Sequence, residues 1–491
     1  MTFDWDPGRR QAMMSGNHFD EVRERFSVAN KNARFAHMRG YYAPARNYVI
    51  TPTGRFDLGL YSEIVKFIKD EGYTERIRHT PAFKEVFDNV LSTTDDVEPE
   101  KLKLDLRDYQ YDVVKKCCKY GRGTVVLATA GGKTLIIATL LETMFKLNPD
   151  FKCALIVPDR GLVTQTYNDF KDYNTTFKTT KWTGDDELDL SANVIVCNLG
   201  ILQSNKSDTD WLTYIDACVV DEVHKLRKGN KVNKLLKKIR TQCRFGFTGT
   251  MPEQTIDQWN IMGKIGPVVY EKNSYELRKE KYIADAKIQI LKLEYEDEPT
   301  YIKFPGESLQ PSEMFRREID FLIHNDFRND ILTKLCNKVT NNALVLVDYI
   351  EHGTVLYEQF NRDCADKKVY FIRGNVDIED REKVKQLMEK DDNVIVVAIS
   401  KIFSTGINIK NLHYIVFASG GKAKIKIIQS IGRGLRLHKN KDQLIIFDIG
   451  DSLRYGTRHL AKRIEFYNRE NIEHGLQTIK EKNSIEKENG S

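Results

Sequence analysis

The chain has 491 residues, which exceeds what one hydrophobic core can serve, so about three domains are expected. Hydrophobic residues make up 41% and charged residues 30%, a composition typical of soluble globular proteins. No apolar run approaches the roughly 18 residues of a membrane-spanning helix, and the first residues lack the basic-then-apolar pattern of a secretory signal, so membrane and secreted classes are excluded.

The net charge of +6 is a weak indication of a polyanionic partner. The eight cysteines form no Cys-x-x-Cys pair, and several lie in apolar, strand-like runs such as "CALIVP" and "ACVVDE". We therefore expect reduced core cysteines, no cysteine metal site and a cytosolic protein, which means the host cytoplasm if a phage encodes it.

The chain divides into four predicted parts. Residues 1–95 contain polar and aromatic segments and the amphipathic stretch "LYSEIVKFIKDEGY", whose apolar residues recur at helical spacing. The acidic "STTDDVEPEK" then resembles a linker. Residues 96–275 and 276–455 each alternate strand and helix candidates, which favours two successive parallel α/β sheets buried on both faces. Residues 456–491 are assigned to a helical, charged tail, and the apolar-poor part from about 475 is expected to fray or to be disordered.

A candidate phosphate-binding loop lies between the first strand and helix of residues 96–275, in "VVLATAGGKTLIIATLL". Gly131 and Gly132 allow backbone N–H groups to converge on phosphate oxygens, and the helix that follows directs its positive end at the same place. Lys133 would reach the β- and γ-phosphates, and Thr134 would offer its hydroxyl to Mg²⁺. The strict pattern G-x-x-x-x-G-K-T is broken because Leu127 occupies its first glycine position. The alternative interpretation is a tight turn with a solvated lysine.

An Asp-Glu pair follows the apolar run of "ACVVDEVHKL". The end of a parallel strand is where ligand sites of open α/β sheets lie. Asp221 would hold Mg²⁺ directly or through water, and Glu222 would orient and activate the attacking water. Adjacent acidic residues are common on solvated surfaces, but the apolar residues before this pair argue against that alternative.

These segments resemble motifs I and II of the superfamily 2 helicases, and further motifs follow in the family's order. "LRDYQYDVV" resembles the adenine-reading segment, "VPDRGLVTQTYNDF" motif Ia, "FTGTMP" motif III, "VLVDYIEHG" motif IV, "ISKIFSTGINI" motif V and "QSIGRGLRLH" motif VI. The amino-acid sequence of the second half is most similar to that of the phage UvsW-type helicases, which are relatives of the XPB and type III restriction motors. The resemblance implies an α/β fold with two tandem RecA-like parallel-sheet domains, preceded by a small N-terminal α+β domain that contacts DNA.

The resemblance also implies roles for individual residues. Nucleotide contacts are implied for Arg107, Tyr109, Gln110, Ala130, Gly131, Gly132, Lys133, Thr134, Gly406 and Asn408. Nucleic-acid contacts are implied for Pro158, Arg160, Gln165, Thr248, Thr250 and Thr405. His224, as part of motif II, would couple the nucleotide site to motif III.

Motif VI carries three polar residues on one predicted helix face, because Gln429, Arg433 and Arg436 are spaced at i, i+4 and i+7. Guanidinium groups delivered from the second domain onto the γ-phosphate would stabilise transition-state charge as arginine fingers do. The alternative is a basic surface helix that binds nothing.

The N-terminal part interleaves arginines, including Arg39 and Arg46, with aromatic residues. This combination suits phosphate contact and base stacking. The alternative is a small strand pair with aromatics in its core and arginines in solvent. The Trp-Asp-Gly often found near its middle in the family is replaced by "PAR" at 44–46.

The sequence therefore predicts an ATP- and Mg²⁺-dependent DNA helicase that remodels forks and junctions without sequence preference, with 3′ to 5′ polarity by analogy. Single-strand-binding or recombination proteins are possible partners. Two alternatives stay open: an RNA helicase, and a nucleotide-gated clamp that does not unwind.

Overall fold

The computed structural model describes residues 1–30, 33–73, 77–88, 97–128, 131–184, 186–204, 208–226, 231–282, 285–299, 309–373, 386, 388–400, 411–419, 443–469 and 472–481. The chain forms two compact units. One spans residues 1–272 apart from 129–131, and the other comprises residues 273–491. In the described part of the chain, no helix is long and apolar enough to cross a membrane.

The N-terminal region has a small sheet and four short helices. Its elements are β1 (Thr2–Asp6), β2 (Gln11–Ser15), α1 (Phe19–Arg25), β3 (Ser27–Ala29), α2 (Ala33–Met38), β4 (Arg46–Tyr48), β5 (Arg55–Phe56), a 3₁₀ turn (Leu58–Leu60), α3 (Tyr61–Asp70), β6 (Arg78–His79) and α4 (Pro81–Asp88). The sheet has the order β5-β2-β1-β6, and β3 pairs separately with β4. The predicted amphipathic helix is α3, which buries Ile64 and Ile68.

The first large sheet has seven parallel strands. Its region comprises α5 (Asp108–Tyr120), β7 (Arg122–Leu127), α6 (Lys133–Leu147), β8 (Cys153–Val157), α7 (Arg160–Tyr173), β9 (Thr179–Trp182), β10 (Val194–Asn198), α8 (Leu199–Leu202), a 3₁₀ turn (Asp210–Thr213), β11 (Ala217–Asp221), a 3₁₀ turn (Val223–Lys225), α9 (Lys231–Leu236), β12 (Arg244–Thr248), α10 (Thr255–Lys264) and β13 (Val268–Lys272). The strand order is β13-β7-β12-β11-β8-β10-β9. The strand-like runs "CALIVP" and "ACVVDE" contain β8 and β11, and the carboxyl ends of β7, β11 and β12 lie at one edge because the strands are parallel.

The second unit repeats this architecture. Its elements are α11 (Ser274–Lys279), β14 (Asp285–Glu294), α12 (Pro311–His324), α13 (Asp326–Lys338), β15 (Ala343–Val347), α14 (Ile350–Asp363), β16 (Lys368–Ile372), β17 (Val394–Ile399), β18 (Tyr414–Phe417), β19 (Gln443–Asp451), α15 (Arg454–Arg469) and β20 (Glu473–Lys480). The parallel strands are ordered β16-β17-β15-β18-β19-β14-β20. The predicted fold class, two tandem RecA-like parallel sheets after a small α+β region, is confirmed.

The C-terminal segment differs from its expected behaviour as a fraying tail. Strand β20 pairs in parallel with β14 from Glu473 to Lys480, and α15 packs on β19. Backbone hydrogen bonding to a neighbouring strand holds this polar segment in place, although it has few apolar side chains to bury. Residues 456–469 and 472–480 are therefore part of the second α/β sheet region, and the expectation for residues 482–491 lies outside the described residues.

The N-terminal region shares its core with α10 of the first large sheet region. Ile256 and Trp259 of α10 are buried among N-terminal apolar side chains, and the Trp259 ring lies 5.3 Å from that of Phe26. At the end of α10, the Lys264 ammonium pairs with the Asp57 carboxylate at 2.6 Å. The region is thus attached to the helix that follows the "FTGTMP" segment.

All eight cysteines are buried free thiols. Burial raises the pKa of Cys118 to about 11 and that of Cys218 to about 12, so both remain protonated at neutral pH.

Candidate active site

The turn between β7 and α6 holds the candidate phosphate-binding residues. Gly132 caps the N-terminus of α6 in the left-handed conformation, with φ +80°. A Cβ atom at this position would collide with Nε2 of Gln110 as well as strain the backbone. Lys133 and Thr134 occupy the first turn of α6 and are half-buried, so their side chains stand where the helix directs its positive end.

Gln110 connects this turn to the predicted adenine-reading segment. Its Oε1 accepts a hydrogen bond from the Arg107 backbone N–H at 2.9 Å, which orients the side-chain amide so that Nε2 faces Gly132. Arg107 also donates to the Tyr109 hydroxyl at 3.3 Å. The structure therefore brings together the three residues Arg107, Tyr109 and Gln110 beside the phosphate-binding turn.

The acidic pair stands at the end of β11. Asp221 is the last strand residue, and Glu222 adopts a left-handed backbone conformation with φ 51°, rare for a residue with a side chain. The Glu222 carboxylate lies 3.9 Å from the Lys133 ammonium, which also donates to the Leu127 carbonyl at 3.4 Å. The phosphate loop and the acidic pair therefore form one site at the carboxyl edge of the sheet.

The two carboxylates differ in their electrostatics. Burial and the neighbouring Glu222 carboxylate raise the pKa of Asp221 above its ordinary value. Burial acts in the same direction on Glu222, but Lys133 and His224 outweigh it and hold the pKa of Glu222 below its ordinary value. Two half-buried carboxylates, with one ammonium and the Thr134 hydroxyl at the start of α6, supply the oxygen donors that a hard divalent cation such as Mg²⁺ takes.

A polar relay connects the acidic pair with the segment after β12. His224 is buried, and its Nδ1 lies 3.2 Å from Glu222 Oε2 and 2.9 Å from the Thr248 hydroxyl. The Thr248 hydroxyl donates its proton to the Thr250 carbonyl at 2.9 Å, so it accepts the Nδ1–H of His224. We name Glu222, His224, Thr248 and Thr250 the motif relay.

The position of Thr248 in the motif relay corrects the expectation that this residue contacts nucleic acid. Its side chain is fully buried and its hydroxyl is occupied by His224 and Thr250, so Thr248 is not a nucleic-acid contact. Thr250 lies at the half-buried end of the same segment, one step nearer the surface.

The residues of the predicted motif Ia follow β8. Asp159 caps α7 by accepting the Leu162 backbone N–H at 3.1 Å, which places Pro158 half-buried before the helix and Arg160 exposed at its first position. Gln165 is half-buried in the second turn. They lie at the carboxyl end of β8, the strand beside β11.

The two N-terminal arginines differ in their surroundings. Arg46 Nε lies 2.6 Å from a Glu24 carboxylate oxygen and donates to the Ser27 hydroxyl at 2.8 Å, so it braces β3 against β4. Arg39 is exposed. Both side chains are therefore at the surface, but Arg46 is paired with Glu24 and Ser27.

In the second unit, the motif IV segment begins at the carboxyl end of β15. Buried His352 lies 3.3 Å from a guanidinium nitrogen of Arg328, which pairs with Asp451 at 2.9 Å. Burial and the Arg328 charge hold the pKa of His352 well below its ordinary value. Seven predicted site residues lie outside the described residues: Ala130, Thr405, Gly406, Asn408, Gln429, Arg433 and Arg436.

Two features of the site were missed by sequence reasoning. The Lys272 ammonium lies 5.1 Å from the centre of the Tyr109 ring, a cation–π contact made from the end of edge strand β13. The left-handed backbone of Glu222 was also missed. The half-exposed strand "VVYEK" carries no motif, and a backbone dihedral leaves no signal in an Asp-Glu pair.

Comparison with known proteins gives two family matches and several relatives. Residues 103–253 match the family described as "Type III restriction enzyme, res subunit", and residues 328–438 match "Helicase conserved C-terminal domain". The chain is 29% identical over 495 residues to "ATP-dependent DNA helicase uvsW" of Enterobacteria phage T4, covering 94% of this chain and 95% of the relative.

A second relative is "DNA 3'-5' translocase XPB2" of Sulfurisphaera tokodaii, which is 24% identical over 70% of this chain and 82% of its own length. Among solved structures, an ATP-dependent type ISP restriction-modification enzyme, LlaBIII, bound to DNA, superposes with a TM-score of 0.55 at 15% identity. It covers 88% of this chain and 36% of that chain, a likeness of fold alone.

Proposed function

The chain belongs to the superfamily 2 helicases, and from that premise we propose that it uses ATP hydrolysis to unwind or branch-migrate forked and junction DNA. The observation that carries this proposal is the continuity of the site. Lys133 of the phosphate loop lies within ion-pair distance of Glu222 in the acidic pair. His224 in turn lies within hydrogen-bond or ion-pair distance of both Glu222 and Thr248, the last residue of β12.

The chemistry assigned to each group follows from its position. Lys133 neutralises the β- and γ-phosphates, and the N–H groups at the start of α6 bind their oxygens. Glu222, kept ionised by Lys133 and His224, orients the attacking water and accepts its proton. Thr134 and Asp221 would hold Mg²⁺, which supplies charge neutralisation between the phosphates.

The second unit is proposed to complete the site. Arg433 and Arg436, which with Gln429 are predicted to share one helix face, would place guanidinium groups on the γ-phosphate. Gly406 and Asn408 would add nucleotide contacts, and Thr405 would face the strand. Loss of the γ-phosphate would then remove its attraction for these arginines. The DNA contacts of one α/β sheet region would weaken while those of the other remain.

Strand contact is proposed to be dominated by the DNA backbone. Pro158, Arg160 and Gln165 follow β8, and Thr250 follows β12. These two strands flank β11, which carries the acidic pair. Phosphate contacts of this kind predict binding that falls with salt and is nearly blind to sequence. By analogy with the XPB2 translocase, the proposed direction is 3′ to 5′. Single-strand-binding or recombination proteins in the host cytoplasm are proposed partners.

The test compares stimulation of ATP hydrolysis by forked DNA, a four-way junction, linear duplex and structured RNA at one salt concentration. We expect the largest stimulation with branched DNA. Stimulation by RNA above that by every DNA would instead identify an RNA helicase. Binding of DNA with ATP but without turnover would identify a clamp.

A further inference from the structure

The N-terminal region carries an exposed aromatic loop that none of the motor motifs includes. Residues 37–45 comprise the end of α2 and its connection to β4, and we name them the tyrosine loop. Tyr42 is 91% exposed, Met38 75% and Tyr41 71%, whereas most aromatic residues of this region are packed in its core. Three large exposed side chains clustered in one short segment mark a candidate binding surface, which a single exposed ring does not.

The backbone of the tyrosine loop is held in place at both ends. Asn30 donates its backbone N–H to the Ala45 carbonyl at 2.8 Å and its side-chain amide to the Pro44 carbonyl at 2.9 Å. The His37 ring nitrogen Nε2 lies 2.8 Å from the Ala43 carbonyl. Helix α2 is followed by Gly40, whose φ of +75° turns the chain into the loop. The loop therefore presents its rings from a fixed frame.

The base of the loop is braced as well. The β3–β4 pair is joined by Arg46, which binds Glu24 and Ser27, and the Arg23 guanidinium lies 3.8 Å over the Tyr48 ring. The Tyr48 hydroxyl donates to Glu24 at 2.8 Å. Within the loop, the Tyr42 ring stacks near His37, with centroids 6.3 Å apart and planes 21° apart. A rigid support lowers the entropy lost when a ligand stacks on these rings.

The charge around the tyrosine loop identifies the class of ligand. Residues 23–46 contain six arginine or lysine residues and one glutamate, a net charge of +5, whereas the whole chain carries +6. Arg39 is exposed directly beside the two tyrosines. Exposed aromatic rings within a positively charged segment match a single-stranded nucleic acid, whose bases stack while its phosphates meet the cations.

We propose that Tyr41 and Tyr42 form a stacking platform for unpaired bases at the branch point of a DNA fork or junction, with Arg39 contacting the adjacent phosphate. This inference rests on the proposed function and names the part of the DNA that the N-terminal region binds. Double-stranded DNA offers no unstacked base, so the platform favours branched over linear substrates.

The experiment uses the full-length chain and a forked DNA with 2-aminopurine at the branch point, whose fluorescence is quenched by stacking. The variants are Tyr41→Ala/Tyr42→Ala, Tyr41→Phe/Tyr42→Phe, which keeps both rings, and Arg39→Ala. Tyr214→Ala is the matched control, since Tyr214 is 76% exposed in the first α/β sheet region. Thermal unfolding of each variant checks that the chain is folded.

We expect the double alanine variant to lose about tenfold in affinity for the fork and to leave the probe unquenched, while the double phenylalanine variant retains both properties. Because stacking releases few counterions, the loss should be the same at low and high salt. Arg39→Ala should instead lower the salt dependence.

A double alanine variant that binds the fork within twofold of the wild type and quenches the probe equally would overturn the inference. Such a result would leave the proposed function intact as long as forked DNA still stimulates ATP hydrolysis. Absence of that stimulation in the wild type is the separate result that would overturn the proposed function.

Discussion

At the scale of single residues, Glu222 combines an unusual backbone conformation with a carboxylate whose pKa is lowered by Lys133 and His224. Its left-handed conformation turns the carboxylate towards both Lys133 and His224, which lie 3.9 Å and 3.2 Å away. A strained position persists only where surrounding contacts fix it, and such positions concentrate at functional sites. The geometry supports Glu222, rather than Asp221, as the group that activates water.

Glu222→Gln tests that assignment because it keeps the shape of the side chain and removes the proton acceptor. We expect nucleotide and DNA binding to remain and ATP turnover to fall about 10²- to 10⁴-fold, the usual contribution of a positioned general base. Phosphate release measured in single-turnover conditions, beside nucleotide binding by fluorescence, distinguishes chemistry from affinity. Turnover like that of the wild type would remove Glu222 from the mechanism.

Thr248→Val tests the motif relay at its centre. Valine fills the same space but cannot accept from His224 or donate to Thr250, leaving buried groups unpaired at a cost of about 1–3 kcal/mol. We expect DNA stimulation of ATP hydrolysis to fall about tenfold, within the usual range of coupling energies. Thr333→Val is the matched control, a buried threonine whose hydroxyl donates to the Asn329 carbonyl in the second unit. Equal stimulation in Thr248→Val and Thr333→Val would contradict the relay.

At the scale of elements, α10 joins the motif relay to the N-terminal region. Gln258 in its second turn donates to the Pro252 carbonyl at 2.7 Å, just after Thr250, while Trp259 is buried in the N-terminal core. One short helix therefore carries contacts to both the segment after β12 and the N-terminal core.

Gly59→Ala tests the closeness of this attachment. A Cβ atom at Gly59 would collide with the Met262 carbonyl of α10, so the helix and the 3₁₀ turn must separate. Overpacking of this kind costs about 1–3 kcal/mol. We expect a lower midpoint in urea denaturation and faster proteolysis of the N-terminal region. Gly161→Ala, on the exposed first turn of α7, is the control and should change the midpoint little. Equal midpoints for the two variants would contradict the contact.

Asp57→Asn tests the ion pair at the end of α10. The Lys264 charge holds the pKa of Asp57 below its ordinary value despite burial, so the pair contributes stability above about pH 4 that is lost as the pH falls through the folded pKa. We expect Asp57→Asn to cost about 2 kcal/mol at pH 7. The difference in melting temperature from the wild type should shrink below about pH 4. A difference that stays constant from pH 7 to pH 3 would exclude the ion pair as its cause.

At the scale of the whole molecule, the sequence predicted the two parallel sheets because their central strands are continuous apolar runs. Strands β7, β8, β10 and β11 bury nearly every residue. Of the strands that the sequence did not predict in the two large sheets, β9, β13 and β20 lie at sheet edges and expose much of theirs, whereas β14 pairs with β19 on one side and β20 on the other. Edge strands are stabilised by backbone pairing to a neighbour, and that leaves little pattern in their sequence.

The sequence predicted the site residues whose chemical role follows from their residue type. It predicted less well the residues whose role depends on whether packing leaves their side chains exposed. Lys133, Asp221 and Glu222 lie together as their motifs predict. Thr248 was assigned to nucleic acid by position, but its side chain is fully buried inside the fold, whereas Arg46 keeps an exposed side chain that is already paired with Glu24. Which polar group is exposed depends on tertiary neighbours that a single sequence does not display.

Strand displacement tests the central claim most directly, since it requires the acidic pair, the phosphate loop and DNA binding to act together. Wild type and Glu222→Gln are compared on a fork and a four-way junction, with and without ATP. The account predicts that wild type separates strands only with ATP and that Glu222→Gln binds both substrates without separating them. Separation by Glu222→Gln at the wild-type rate, or by wild type without ATP, would contradict it.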